Sequence, residues 1–68
     1  MSEKKYLIRK TNFIILGPLS ILEIKKMHKE ERLDPLDEIN KPYFNWCFIN
    51  DKEEIKENYP ECEFLLNI

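Results

Sequence analysis

The sequence predicts a small α+β domain: an antiparallel sheet of three to four strands packed on one main helix, with a second short helix near the C-terminus. Three observations carry this. Two β-rich runs, residues 6–10 and 13–16, lie close enough to form a hairpin. Ser20 and Glu23 form the S-x-x-E capping box that opens an apolar helical stripe. A prolyl break then precedes the most aromatic stretch of the chain, residues 43–49, and a second cap at Asp51.

The chain of 68 residues holds one hydrophobic core, so a single domain is expected over 1–68, with residues 1–5 and 61–68 as flanking tails. A chain this short buries only about 60% of the surface its unfolded form exposes, so each large apolar residue matters. The apolar fraction of 43% is ordinary globular usage and argues against disorder despite 35% charged residues. Eleven Lys and Arg stand against thirteen Asp and Glu, a net charge of −2, with the signs interleaved. No basic stripe offers itself to a phosphate backbone, so no nucleic-acid partner is expected. No apolar run approaches the roughly 20 residues that span a bilayer, and the N-terminus lacks a signal-peptide pattern. Cytoplasm, without membrane insertion, is the expected setting.

Tyr6-Leu-Ile-Arg-Lys and Phe13-Ile-Ile-Leu are separated by Thr11-Asn12, where Asn12 tolerates the left-handed conformation of a tight connection. The second run is apolar throughout, which predicts a strand buried on both faces or paired centrally. Gly17 is the only glycine in the chain. It stands between that strand and Pro18, where it permits a change of direction while Pro18 starts the helix entry. The cap at Ser20 and the stripe Ile21, Ile24 and Met27 or His28 predict a helix over Ile21–Lys29. Pro35 ends any continuation, and Leu33, Leu36 and Ile39 are expected to tuck inward, with a short strand near Glu38–Asn40. Residues 46–49 read as a further strand, with Trp46 and Phe48 in the core and Tyr43 and Phe44 either core or surface. Asp51 caps a second helix over Lys52–Asn58. Residues 61–68 carry Phe64, Leu65, Leu66 and Ile68 but no cap or turn cue, and the sequence assigns them no element.

The order of hairpin, Gly17-Pro18-Leu19-Ser20, capped helix, prolyl connection and late Trp46 resembles the GYF domain, a module known for binding proline-rich peptides. It is most similar to that family's bacterial branch. The matching places run from Tyr6 to Pro60 and include Ile24. The resemblance implies a ligand groove formed by Tyr6, Ile8, Leu19, Met27, Arg32 and Leu33, with Gly17, Pro18, Ser20, Glu23 and Trp46 as structural positions. In an ungapped alignment from Gly17, the family's aromatic after Gly-Pro falls on Leu19, its helix Trp on Met27, and its Gly-Tyr-Phe turn on Glu31-Arg32-Leu33. Its second first-strand aromatic falls on Ile8, so Tyr6 alone keeps a ring. Aliphatic and sulfur contacts then replace ring stacking against the ligand.

Read from the residues, no catalytic constellation is visible. His28 is the single histidine and has no sequence partner for acid–base work. Cys47 and Cys62 form no CxxC pair, and no metal or cofactor is expected. They read as reduced thiols. The carboxylates Glu53, Glu54, Glu57, Glu61 and Glu63 alternate with lysine as a solvated face does. The expected function is therefore a non-catalytic protein-binding module taking a proline-rich or other extended peptide. The alternative is a self-associating adaptor, a homodimer paired through a strand edge or through the apolar tail.

Overall fold

The computed structural model describes residues 3–68; Met1 and Ser2, part of the predicted N-terminal flank, lie outside them. The chain forms β1 (Tyr6–Arg9), β2 (Ile15–Leu19), α1 (Ile21–Lys29), β3 (Glu38–Asn40), β4 (Cys47–Phe48), α2 (Lys52–Asn58) and a C-terminal 3₁₀ segment, Pro60–Asn67. The four strands make one antiparallel sheet in the order β2-β1-β3-β4. The α+β class, the main helix and the short second helix are as the sequence predicts.

Two rows of side chains cross the sheet, because cross-strand partners share a face. Leu16, Ile8, Ile39 and Cys47 lie in register on the inner face, and Ile15, Arg9, Glu38 and Phe48 on the outer one. The inner row meets Ile24 and Met27 of α1, Ile55 of α2, and Cys62 and Leu65 of the 3₁₀ segment. Period-two alternation therefore sends Tyr6 and Ile8 into the core together, at 1% and 0% exposure.

Helix α1 begins as its capping box dictates. The Glu23 amide donates to Ser20 Oγ at 3.1 Å, and the Ser20 amide donates to Glu23 Oε1 at 3.1 Å. At its end the Glu31 amide donates to the His28 carbonyl and the Arg32 amide to the Met27 carbonyl. This is a Schellman closure with Glu31 at φ 58° in the left-handed position.

Several expectations are corrected. The second apolar run is neither central nor doubly buried: β2 is an edge strand, starts at Ile15, and runs through Gly17-Pro18 to Leu19. Pro18, joined by a cis peptide bond to Gly17, is thus a strand residue and not the start of the helix turn. An edge tolerates it because its missing N–H has no second ladder to join. The register slips by one between Tyr6 and Ile8, so a bulge sits at Gly17-Pro18 opposite Leu7. Gly17 is required there: its φ is 135°, and a Cβ would lie 2.7 Å from the Tyr6 carbonyl oxygen.

In the hairpin the left-handed residue is Phe13, at φ 69°, not Asn12. Asn12 instead accepts the Ile14 amide through Oδ1 at 3.1 Å. Trp46 and Phe48 are not core. Strand β4 is only two residues long and its alternation places Phe48 on the outer row, while Ile49 turns in and is fully buried. Trp46 is half-buried, with the Arg9 guanidinium 4.4 Å over its ring. Leu36 is exposed, and Asp37 takes the buried place beside it. Residues 61–68 are not a flanking tail, since Cys62 and Leu65 have no exposed surface.

Candidate functional site: the β2 edge and its groove

Twelve consecutive residues, Thr11 through Leu22, carry no charge. The fold lays five of them, Ile15–Leu19, along the open edge of the sheet, with Phe13 and Ile14 in the turn that leads into it. Phe13 is 81% exposed, with Ile14 and Ile15 more than half exposed. Edge strands are ordinarily guarded by a lysine or another charge, and none lies between Thr11 and the end of β2. Lys10 donates its amide to the Ile14 carbonyl at 2.8 Å. Antiparallel alternation then turns the amide and carbonyl of Ile15 away from β1 and toward the open edge. A bulky aromatic held at positive φ costs about 1–2 kcal/mol, and Phe13 buries nothing in return.

Beside this edge a groove of about 410 Å³ runs between β2 and α1. Its apolar lining is Leu16, Leu19 and Met27, and its rim is Glu23, Lys26, Glu30 and Arg32. Arg32 is exposed and pairs with Glu30 at 3.5 Å. Glu23 is engaged in the helix cap and with Lys4 at 3.4 Å, and the Ser20 amide foremost holds its carboxyl below the usual range.

The six expected groove residues therefore divide. Leu19, Met27 and Arg32 converge on the groove, while Tyr6, Ile8 and Leu33 are in the core. Tyr6, the one ring expected there, points away: its hydroxyl donates to Glu61 Oε2 at 2.6 Å. Burial, then Glu61, pushes its pKa up. Glu61 also accepts Lys41 Nζ at 2.9 Å, and that ammonium sits 4.4 Å from the Phe44 ring centre and 4.7 Å from that of Tyr59. Burial works to raise Glu61, but the hydrogen bonds from Lys41 and Tyr6 outweigh it and the carboxyl stays lowered. This network ties β1 to the 3₁₀ segment. Of the positions expected to be structural, Gly17 and Pro18 make the bulge, Ser20 and Glu23 the cap, and Trp46 carries Arg9, whose guanidinium forks onto Glu38 at 2.8 and 2.9 Å.

Phe13, Ile14 and Ile15 are surface residues that the sequence does not single out. The signal was present in the uncharged run, but periodicity alone reads such a run as burial. His28 stacks on Phe64 with ring centroids 5.7 Å apart. Burial pushes the thiols up, Cys47 to about 11 and Cys62 to about 12, so neither is a thiolate at neutral pH. Among the described residues no three His, Cys, Asp or Glu side chains gather as metal ligands, and no helix is long and apolar enough to cross a membrane. Comparison with protein-family models, with curated proteins and with solved structures finds no significant match.

Proposed function

We propose that this chain is a small non-catalytic protein–protein interaction module that receives an extended apolar segment of a partner along β2. The partner's backbone pairs with the outward amide and carbonyl of Ile15, and one of its side chains seats on Leu16, Leu19 and Met27. The observation that carries this is the uncharged, exposed edge strand with Phe13, Ile14 and Ile15 on its tip. A kinship with GYF domains is part of the reading. Gly17-Pro18-Leu19-Ser20 leading into a capped helix supports it, and so does Glu31, which aligns with the family's glycine and holds a φ of 58° that glycine adopts freely.

The ligand differs from the family's usual one. Polyproline helices dock on flat rings, and the groove is lined by aliphatic and thioether groups. A strand-forming peptide fits better than a proline-rich one. The cytoplasm is the setting we assign, in keeping with the free thiols of Cys47 and Cys62. A second reading, pairing of β2 with β2 of another copy, is favoured by the same neutrality, since like meets like there without charge repulsion.

Titrating isotope-labelled protein with a short alternating Val/Thr peptide, and in parallel with a proline-rich peptide, tests the proposal by NMR. Amide shifts at Ile15, Leu16, Leu19 and Met27 with the first are expected. Silence at these positions with both peptides refutes it. Light scattering over a concentration series separates the homodimer from a free monomer.

A further inference from the structure

On the other flank of α1 a larger groove, about 880 Å³, runs between the helix and Phe64 of the 3₁₀ segment. Its volume is in the range of built ligand sites, although it is open to solvent. Leu22, 65% exposed, and the half-buried Phe64 supply its apolar surface, with the aliphatic stems of Lys25, Lys26 and Lys29 between them. Leu22, Lys25, Lys26 and Lys29 follow the i, i+3, i+4, i+7 spacing, so they form one stripe along the helix.

The charges on this stripe are unbalanced. Among the described residues, Lys25, Lys26 and Lys29 have no carboxylate within ion-pair distance. Of the nearby anions, Glu23 is engaged with the cap and Lys4 and Glu30 with Arg32, while Glu63 lines the adjoining pocket with Lys25 but forms no ion pair among the described residues. The helix dipole accounts for cations in the last turn, where Lys26, His28 and Lys29 stand. It accounts neither for Lys25 nor for the exposed Leu22.

We propose that this groove is a second docking site, on the other flank of α1 from the β2 groove and sharing only Lys26 and Glu30 with its rim, and that its occupant is an acidic amphipathic segment of a partner protein. Apolar side chains of that segment would rest on Leu22 and Phe64, and its carboxylates would meet Lys25, Lys26 and Lys29. Opposite charge selects such a partner and speeds its approach. A bare polyanion would leave Leu22 and Phe64 unused.

The test is an NMR titration of the labelled chain with a short helical peptide carrying Leu on one face and Glu on the other. Its Gln-for-Glu counterpart and phosphatidylserine vesicles are run alongside. Shifts at Leu22, Lys25, His28 and Phe64 are expected, with binding at least about tenfold weaker for the Gln peptide. Lys25→Glu with Lys29→Glu should abolish the shifts. Lys25→Gln with Lys29→Gln serves if the reversed pair does not fold, folding being checked by circular dichroism. Equal binding of the Gln peptide, shifts confined to Leu16 and Leu19, no binding, or capture by vesicles in place of the peptide each overturns the proposal.

Discussion

Replacing Asp37 by alanine removes one carboxylate that three donors share, two from the hairpin and one from the turn at Asp34. Its side chain is fully buried and accepts the Thr11 amide at 3.2 Å, the Asp34 amide at 2.9 Å, and the Lys10 ammonium. Its own amide closes the turn onto the Asp34 carbonyl at 2.9 Å, and its carbonyl accepts the Ile49 amide at 2.9 Å. Alanine leaves Lys10, its side chain 24% exposed, with the Arg32 carbonyl at 2.7 Å but no carboxylate, and two amides without acceptors. Breaking a buried charge pair from one side costs about 3–5 kcal/mol. A domain of 68 residues holds in total about 3–10 kcal/mol. Asp37→Ala should therefore remove about a third of the stability at least, and all of it at the lower end of that range.

In urea, with a slope near 1 kcal/mol per molar for a chain this small, the midpoint should fall by about 3 M or the native baseline should vanish. Trp46 fluorescence and circular dichroism both report the transition. Asp37→Asn retains one acceptor and should cost less, about 1–3 kcal/mol. Lys10→Met combined with Asp37→Ala should be milder than the sum of the two, with a coupling of about 1–3 kcal/mol. A loss below about 1 kcal/mol for Asp37→Ala, at unchanged slope, would refute the reasoning.

Gly17→Ala should lose about 2–4 kcal/mol in the same assay, since the new Cβ would lie 2.7 Å from a backbone oxygen at a φ of 135°. Ile15→Lys should leave stability within about 0.5 kcal/mol while abolishing peptide shifts or self-association at β2, because Ile15 is half exposed but central to the edge. Stability against pH should be a plateau lost on both sides. Glu38, lowered chiefly by the Arg9 fork, and Glu61 have folded pKa values below their unfolded ones, so their contribution is complete above about pH 5 and fades as pH falls. Cys47 at about 11, with Cys62 and Tyr59 at about 12, are raised by burial. Their contribution is complete below about pH 8 and is lost as pH rises toward 12. Midpoints in urea across that range check both limbs, and a flat curve from pH 9 to 11 contradicts the second.

What was legible in the sequence was local. Both helices and β3 run over the predicted residues, because Ser20-Glu23, Asp51 and the prolines act within a turn of where they stand. What was not legible was non-local. An apolar run such as Phe13–Leu16 looks the same at the centre of a sheet and at its edge, and only the strand order decides. Trp46 and Phe48 were assigned to the wrong face because alternation separates them from Cys47 and Ile49 without saying which of the two sets meets the core. The groove was half legible: Leu19, Met27 and Arg32 reach it, whereas Tyr6 and Ile8 are turned inward by the strand's own pleat. Asp37 gave no signal, since its role depends on Thr11 and Lys10 arriving from the hairpin.

The bond between Tyr6 and Glu61 spans 55 positions, and the 3₁₀ segment that holds Glu61 also supplies Cys62 and Leu65 to the core. During synthesis the hairpin and α1 emerge first, but the floor they rest on does not yet exist. They must wait with their apolar faces, and the uncharged edge, open to the cell. Folding therefore waits for residues 60–68, and until they emerge the uncharged edge of β2 stands open as a template. The interval between the emergence of Phe13 and that of Leu65 is when this chain is most exposed to chaperones and to its own siblings.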